Sequence, residues 1–371
     1  MKKNKLKKVF IFLFSFLFIA SATVAGGVLL SGSSYSVPVS ESSGEEIQDN
    51  ENLTNVTANA TEPLNDGNWT DSGNYDTTFA GGTGTESDPY LISTARQLAG
   101  LAYWTNISTS TTYNGSGVYY RQTADIDLSA YWWDSIGAST SSTYYFQGCY
   151  DGGGHTVSGV FTQAGSTSTY NNQGLFGYVR GASSTDRAEI SNVGVINSNI
   201  QGYRHVGGIA GYAYCTTITN CYNTGLVAGT QQVGGVVGYY YYSIVTNSYN
   251  TGSVTGSSHV GGVVGDNYAS STVSNSYNTG SVAGSSFNVG GVVGRNYSSS
   301  TVSNSYNTGT VTGSGSYVGG VVGYNYYSIV TNSYNIGSVT GVSVVGGVVG
   351  YSGSSSTVSN SYNTGTVTGS S

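Results

Sequence analysis

Charge is scarce in this chain of 371 residues, because Asp, Glu, Lys and Arg together make up only 8% of it. An ordinary soluble domain carries about 25%. All lysines lie between Lys2 and Lys8, so none remains for a phosphate-binding loop, a Schiff base or a Lys–Asn isopeptide crosslink farther along. The formal net charge of −7 opposes contact with phosphate backbones, and we therefore predict no nucleic-acid partner.

Cysteine is also rare, since only Cys149, Cys215 and Cys221 occur. Three cysteines at these spacings form neither a disulfide framework nor a zinc pattern. Cys215 and Cys221 could pair in an oxidising compartment, although the spacing favours small buried residues. An H-E-x-x-H sequence is absent as well, and we predict no metal and no cofactor.

The N-terminus has the pattern of a secretory signal peptide. A basic segment "MKKNKLKK" precedes the apolar run "VFIFLFSFLFIA", and Ala20-Ser21-Ala22 supplies an A-x-A cleavage site. Because the uncharged stretch continues to Leu30, an uncleaved anchor is the alternative. We assign residues 1–25 to this signal or anchor, which predicts a secreted or cell-surface location through the Sec route.

The rest of the chain divides into three parts. Residues 26–66 are acidic and rich in Ser, Asn and Thr, which is typical of a disordered linker. Residues 67–205 mix strand-like runs with one helical pattern at Ser93–Trp104, where Ser93 or Thr94 can cap the helix. We assign this part to an N-terminal cap followed by degenerate β-helix coils. Residues 206–371 are repetitive.

Six units fill the repetitive part, and each begins with Val-Gly-Gly. The units start at Val206, Val233, Val260, Val289, Val318 and Val345. Such a period is typical of a solenoid. The words "GGVVG" and "SYNTG" keep their length while the residues between them vary. We therefore predict an all-β fold in which each unit is one coil of two or three short strands, stacked in parallel on the next.

Stacking aligns the same residue of every unit into a column. We predict that the asparagine column starting at Asn220 forms a buried amide ladder. The tyrosine column starting at Tyr222 is expected to stack ring on ring, and the glycine column starting at Gly225 is expected to form a corner with positive φ.

The repeated phrase "VGGVVGxxxxxxxVSNSYNTGxVTG" resembles the GLUG motif of bacterial surface and adhesin-like proteins, which also occurs beside certain secreted immunoglobulin-A peptidases. Upstream, "GTGTESDPYLISTARQLAGLAYW", "TADIDLS", "YDGGGHTVSGVF" and "GLFGYV" are similar to the segment that commonly precedes those repeats. The resemblance spans about residues 80–371. It implies a right-handed parallel β-helix, pectin-lyase-like in outline, with a short helix near its N-terminal cap and with any catalytic parts in separate domains.

One group of residues has the chemistry of an active site. It consists of Asp125, Asp127, Asp134, Asp151 and His155. Carboxylates on a β-helix occur in polysaccharide lyases and hydrolases, sometimes with calcium. Turn and capping roles are the alternative, which "DGGGH" favours. After Val206 only Asp266 and Arg295 are charged, so general acid–base catalysis is not expected there. We predict that the protein is not an enzyme.

These observations favour an adhesin-like protein. A surface rich in Tyr, Ser, Asn and Gly suits adaptable contact, and the partner is expected to be a glycan or protein of a host or neighbouring cell. The predicted interaction residues, placed in a variable turn, are Tyr239, Tyr240, Tyr241, Tyr242, Tyr324, Tyr326 and Tyr327. Alternatively, these tyrosines merely cover the solenoid.

Two other roles remain open at this point. The rod is either a stalk that carries another domain, such as a peptidase, or, with less support, an ice-binding array, whose threonine column is interrupted by Ala228 and Ala283. The last unit ends at Ser371 without a capping element, which predicts possible self-association through the exposed C-terminal β-edge.

Overall fold

The computed structural model describes residues 62–107, 112–137 and 144–370. The predicted signal peptide or anchor, and the linker up to residue 61, lie outside the described residues. Among the residues described, no helix has the length and apolar character needed to cross a membrane.

The predicted helix is confirmed and extends over Ala95–Ile107. Thr94 caps it, because the Thr94 hydroxyl accepts a hydrogen bond from the Gln97 amide at 3.2 Å. Gln97 in turn accepts one from the Ser93 amide at 2.8 Å. The helix buries Leu98, Ala99, Leu101 and Ala102 against the first coils. The described residues contain one further helical turn, of the 3-10 type, at Ser168–Tyr170.

The chain folds into a parallel β-solenoid, as predicted. The solenoid has about ten coils. Its strands form five rows that run along the solenoid, and we number the rows in the order in which the chain enters them within a repeat. Row I comprises Arg204–Gly207, Gln231–Gly234, Ser258–Gly261, Val289–Gly290 and the ends of Val311–Gly319 and Val339–Gly346. Row II comprises Phe176–Arg180, Ala210–Tyr214, Val237–Tyr241, Val264–Tyr268, Val293–Tyr297, Val322–Tyr326 and Val349–Gly353.

Rows III and IV begin earlier in the chain than rows I and II, whereas row V begins at Asn199. Row III comprises Tyr90–Ile92, Tyr119–Gln122, Cys149–Asp151, Ala188–Ser191, Thr216–Thr219, Ile244–Thr246, Thr272–Ser274, Thr301–Ser303, Ile329–Thr331 and Thr357–Ser359. Row IV comprises Ile126–Asp127, Thr156–Ser158, Gly194–Ile196, Tyr222–Asn223, Tyr249–Asn250, Tyr277–Asn278, Tyr306–Asn307, Tyr334–Asn335 and Tyr362–Asn363. Row V comprises Asn199–Gln201, Leu226–Ala228, Val254–Gly256, Val282–Gly284, the starts of Val311–Gly319 and Val339–Gly346, and Val367–Gly369.

Each repeat therefore contains five short strands, and the prediction of two or three is wrong. Rows I and V belong to one sheet, because Val311–Gly319 and Val339–Gly346 run through both. Pairing between coils is parallel and aligns each residue with its counterpart, for example Val237 with Val264. A coil also precedes Val206, since Phe176–Arg180 pairs in register with Ala210–Tyr214.

Columns of small apolar side chains fill the solenoid. In the fourth unit the buried valines are Val289, Val292, Val293, Val302 and Val311. Burying each valine contributes on the order of 1.5 kcal/mol or more. Cys215 and Cys221 are buried and unpaired, which confirms the expectation of small buried residues over a disulfide. Burial raises the pKa of the Cys221 thiol to about 12.

The buried amide ladder exists, but it is formed by different asparagines from those predicted. Asn220 and its counterparts are exposed and form a left-handed corner between rows III and IV, with φ of 55° at Asn220. That corner turns the chain, so the residue three positions later points inward. The ladder consists of Asn223, Asn250, Asn278, Asn307, Asn335 and Asn363, whose amides are linked by Nδ2–Oδ1 hydrogen bonds of 2.7 to 2.8 Å.

Two serine ladders accompany the amides. In one, the backbone N–H of Ser248 donates to the hydroxyl of Ser276 at 3.2 Å, and that pattern continues through later units. In the other, the Ser243 N–H donates to the hydroxyl of Ser271 at 3.0 Å. The hydroxyls thus satisfy backbone donors at corners where strand pairing is interrupted.

The glycine column starting at Gly225 is needed for a different reason from the one predicted. Its members do not have positive φ. Instead, coils approach so closely there that a Cβ on Gly280 would lie 1.9 Å from the Gly252 carbonyl oxygen. The tyrosine column is confirmed, since Tyr249 and Tyr277 stack at 4.8 Å with 3° between their planes.

Candidate interaction surface

The outward positions of row II form two columns of mainly tyrosine residues, and we call these columns, together with the corner residues Tyr242 and Tyr327 that follow row II strands, the tyrosine face. Its first column is Tyr178, Tyr212, Tyr239, Asp266, Arg295, Tyr324 and Tyr351, which are register partners on successive coils. Its second column is Arg180, Tyr214, Tyr241, Tyr268, Tyr297, Tyr326 and Gly353.

Most neighbouring rings within a column cover one another's faces, although Tyr212 and Tyr239 meet edge-on at 63°. Tyr268 and Tyr297 stack at 5.5 Å with an interplanar angle of 5°, and Tyr297 and Tyr326 at 5.6 Å with 8°. At the other end, the Arg180 guanidinium lies 5.2 Å above the Tyr214 ring. Because the ring faces are occupied, the stacked tyrosines offer mainly ring edges and hydroxyl groups to a ligand.

Two tyrosines depart from this arrangement. Tyr242 and Tyr327 follow the row II strands at left-handed corners with φ of 49° and 51°, and they are 39% and 48% exposed. Tyr242 lies edge-on to Tyr241 at 90°, and Tyr327 lies edge-on to Tyr326 at 86°. These two rings therefore project from the columns and are the most accessible aromatic groups of the face.

The predicted variable turn is thus shorter than expected. Tyr239, Tyr240 and Tyr241 belong to the strand Val237–Tyr241, as Tyr324 and Tyr326 belong to Val322–Tyr326, so placing them in a turn was wrong. Only Tyr242 and Tyr327 occupy corners.

Tyr240 departs furthest from the predicted surface, because it points inward and is fully buried. Burial raises the pKa of its hydroxyl far above the usual range. The other six predicted residues remain at least partly exposed, and their role in binding remains a prediction.

The two charges of the repeats form one ion pair in the middle of the first column. Asp266 is fully buried, and its Oδ1 accepts a hydrogen bond from Arg295 Nε at 2.9 Å, while Arg295 Nη2 donates to Oδ2. Burial lowers the pKa of the Arg295 guanidinium, but the Asp266 carboxylate outweighs this effect and raises the pKa overall. The pairing of these two residues was not predicted, although each lies six residues after the valine that starts its unit.

Two histidines lie in strands of row I, His205 in Arg204–Gly207 and His259 in Ser258–Gly261. The Asp266 carboxylate of the ion pair acts electrostatically on both imidazoles. The His205 ring contacts Tyr212 and Tyr239 at centroid distances of 5.3 and 5.2 Å, and its Nδ1 lies 2.8 Å from Asn172 Oδ1. His259 is buried against Phe287. Burial lowers the pKa of both imidazoles to about 4, so both are neutral at physiological pH.

The acidic residues singled out as a possible active site serve turns. Asp151 Oδ1 accepts hydrogen bonds from the Gly153 amide and from Asn192 Nδ2, each at 2.9 Å. Asp125 accepts one from the Thr156 amide at 2.8 Å and lies 3.5 Å from His155 Nδ1. Asp127 accepts one from the Ser129 amide. These contacts favour the turn and capping interpretation.

Asp134 is placed differently, in a cavity, where it accepts a hydrogen bond from the Thr70 hydroxyl. Within the residues that the structure describes, no group of three His, Cys, Asp or Glu side chains is arranged to hold a metal ion.

A family model matches four segments of the repetitive part. The model, described as "The GLUG motif", matches residues 202–227, 229–255, 285–312 and 314–340. The chain thus contains four GLUG motifs. The intervening and last units, which the family model does not match, contribute strands to the same rows as the GLUG units.

Two curated proteins resemble parts of this chain. A "Putative Gly-rich membrane protein" from Evansella cellulosilytica is 34% identical over 107 residues, which are 27% of this chain and 11% of that protein. "Halomucin" from Haloquadratum walsbyi is 33% identical over 157 residues, which are 40% of this chain and 2% of that protein. The chain thus spans only a small part of the curated relatives that it matches.

One solved structure resembles most of the chain. It is the crystal structure of a "putative immunoglobulin A1 protease" from Bacteroides ovatus, with a TM-score of 0.53 and 25% identity. The match covers 79% of this chain and 80% of the other. The similarity supports the solenoid fold.

Proposed function

We propose that this protein is a secreted or cell-surface, adhesin-like rod that binds a glycan or protein of a host or neighbouring cell without catalysing a reaction. The observation that carries the proposal is the tyrosine face, which runs over seven coils and carries projecting rings at Tyr242 and Tyr327. Tyrosine supplies large contact area at low entropic cost. The names of the relatives, a membrane protein and a halomucin, agree with a surface location.

The arrangement of the rings specifies where contact occurs. Sugar rings and apolar side chains bind aromatic faces, and within the columns those faces are already stacked. The corner rings of Tyr242 and Tyr327 therefore contribute most of the aromatic contact, while the stacked columns hold them in place and contribute hydroxyl groups.

The test uses cells that display the full chain. The variant Tyr242→Ser/Tyr327→Ser is compared with wild type for attachment to a second cell type or to immobilised host glycoprotein. A matched control, Tyr334→Ser/Tyr362→Ser, removes two tyrosines from row IV. We expect attachment to fall at least fivefold for the corner variant and to remain near wild type for the control, with both proteins melting within a few degrees of wild type. Equal attachment by all three proteins would refute the proposal.

The relation to a "putative immunoglobulin A1 protease" supports a second candidate, in which the rod is the stalk of a peptidase. Under this alternative the corner variant attaches normally, and insertion or deletion of whole units changes the activity of a carried domain. Catalysis is tested by incubating the purified chain with immunoglobulin A1. Cleavage by this chain alone would contradict a non-catalytic role.

A further inference from the structure

A cavity of about 420 Å³ lies among the N-terminal coils, and it shares no residue with the tyrosine face. Its lining includes Trp132, Tyr170, Asp134, Asn68 and Gln163. The volume falls within the range of about 300 to 1,000 Å³ that is usual for small-molecule sites. We call this cavity the tryptophan pocket.

Backbone hydrogen bonds hold the walls of the pocket. The segment that contains Asn68 pairs with Trp132 as a parallel bridge, and the Trp69 amide donates to the Trp132 carbonyl at 3.0 Å. On the opposite side, the Tyr170 carbonyl accepts a hydrogen bond from the Tyr203 amide at 2.8 Å. The pocket is therefore fixed to the solenoid and is formed in the absence of a ligand.

The aromatic walls differ from the stacked tyrosines of row II. Neither Trp132 nor Tyr170 stacks on another ring among the residues that the structure describes, so both rings can accept a ligand. One side of Tyr170 is occupied by Gly165, since a Cβ added to that glycine would lie 1.9 Å from the ring. The glycine thus supports the ring from behind without covering it with a side chain.

The polar lining combines neutral groups with one acid. Asn68, Gln163, Thr70 and Thr169 supply amide and hydroxyl groups, and Asp134 is the only charged lining residue. Thr70 orients the Asp134 carboxylate by a hydrogen bond to Oδ2. Burial raises the pKa of this carboxyl, although the Thr70 hydrogen bonds oppose the shift. Because no basic side chain lines the pocket, anionic ligands are disfavoured.

We infer that the tryptophan pocket binds a neutral pyranose sugar. One face of such a ring carries C–H groups that pack on an aromatic surface, while its hydroxyl groups pair with amides and a carboxylate. The inference is independent of the proposed function, because it concerns different residues and remains valid if the tyrosine face binds nothing.

The experiment titrates the full chain with the methyl glycosides of glucose, galactose, mannose and N-acetylglucosamine, observed by tryptophan fluorescence and by saturation-transfer NMR. We expect at least one glycoside to bind, and the uronate of the same sugar to bind at least tenfold more weakly because Asp134 repels its carboxylate. Trp132→Ala should weaken binding at least tenfold, while Tyr362→Ser, which changes an exposed residue of row IV, should leave it unchanged.

A second variant addresses a possible failure of Trp132→Ala to fold. Gln163 is exposed at the rim of the pocket, so Gln163→Ala should retain the wild-type melting temperature and weaken sugar binding at least threefold. The inference is overturned if no glycoside binds. It is equally overturned if the uronate binds as well as the neutral sugar, or if a folded pocket variant binds the sugar like wild type.

Discussion

Removing one member of the buried amide ladder should destabilise the solenoid far more than removing an asparagine three residues away. In Asn278→Ala three buried groups lose a partner. Asn278 Oδ1 accepts from Asn250 Nδ2, and its own Nδ2 donates to Asn307 Oδ1 and to the Gly280 carbonyl, each at 2.8 Å. A buried polar group without a partner costs about 1 to 3 kcal/mol. The expected loss in the free energy of unfolding is therefore about 3 kcal/mol or more.

Asn275 provides the matched control. It is exposed and holds a left-handed corner with φ of 50°. Glycine adopts this conformation without a steric penalty, so Asn275→Gly should change the free energy of unfolding by no more than about 0.5 kcal/mol. The half-buried Asn363, at the last step of the ladder, should give an intermediate loss when replaced by Ala, because Asn335 Nδ2 then loses its ladder partner but keeps its hydrogen bond to the Gly337 carbonyl.

The measurement is equilibrium unfolding in urea, followed by circular dichroism at 25 °C. Since each coil contacts mainly its neighbours, the loss should also be local. Hydrogen exchange should accelerate in the coils around Asn278 before it does so near the N-terminal helix. A loss below about 1 kcal/mol for Asn278→Ala, or equal losses for Asn278→Ala and Asn275→Gly, would refute the reasoning that the ladder stabilises the fold.

Two further predictions concern the charged centre of the tyrosine face. Arg295→Tyr should cost about 3 kcal/mol in thermal or chemical unfolding, because it leaves a buried carboxylate unpaired. Adding Asp266→Tyr should restore stability, because it completes the tyrosine column. The idea fails if the double variant is less stable than the single variant Arg295→Tyr. Acid should also destabilise the protein. Burial lowers the pKa of His205 and His259 from 6.5 to about 4, so the unfolded chain binds protons more tightly than the folded one. Stability is then fully present above pH 6.5 and decreases as the pH falls towards about 4. In His205→Asn/His259→Asn the free energy of unfolding should depend less on pH in that window. If it varies with pH as steeply as in wild type, this account is wrong.

The architecture follows from the sequence because stacking imposes the repeat length. Units of nearly constant length with valines at fixed offsets specify coils in register, and the structure aligns Val233 with Val260 as the repeat predicts. Whether a side chain points into or out of the solenoid does not follow from the repeat length. A left-handed corner at Asn220 shifts the inward positions, so that Asn223 enters the interior while Asn220 remains outside. Positive φ in a non-glycine residue is set by local geometry that residue spacing does not encode.

Only part of the tyrosine face was predicted, because the repeat spacing locates a corner but does not fix the direction of each side chain. Varying length located the corner between rows II and III, and the structure shows how an additional residue is accommodated there. Units with Tyr242 or Tyr327 use one left-handed residue, whereas the third unit uses two, Ala269 and Ser270. Because the strand before the corner keeps its length, Tyr240 keeps its inward position and is buried. In a run of four tyrosines the sequence does not distinguish inward from outward positions, since the residues at both are identical.

The low charge of the chain is itself a consequence of stacking in register. At about 5 Å and an effective dielectric constant of about 20, two like charges repel by about 3 kcal/mol. A charge repeated in every unit would incur that cost at each step, whereas opposite charges on adjacent coils attract, as Asp266 and Arg295 do. The columns therefore favour uncharged residues with flat or hydrogen-bonding side chains. Corner positions such as Tyr242 project outside the columns and are free of this constraint, so the surface there can vary between units while the coils beneath remain the same.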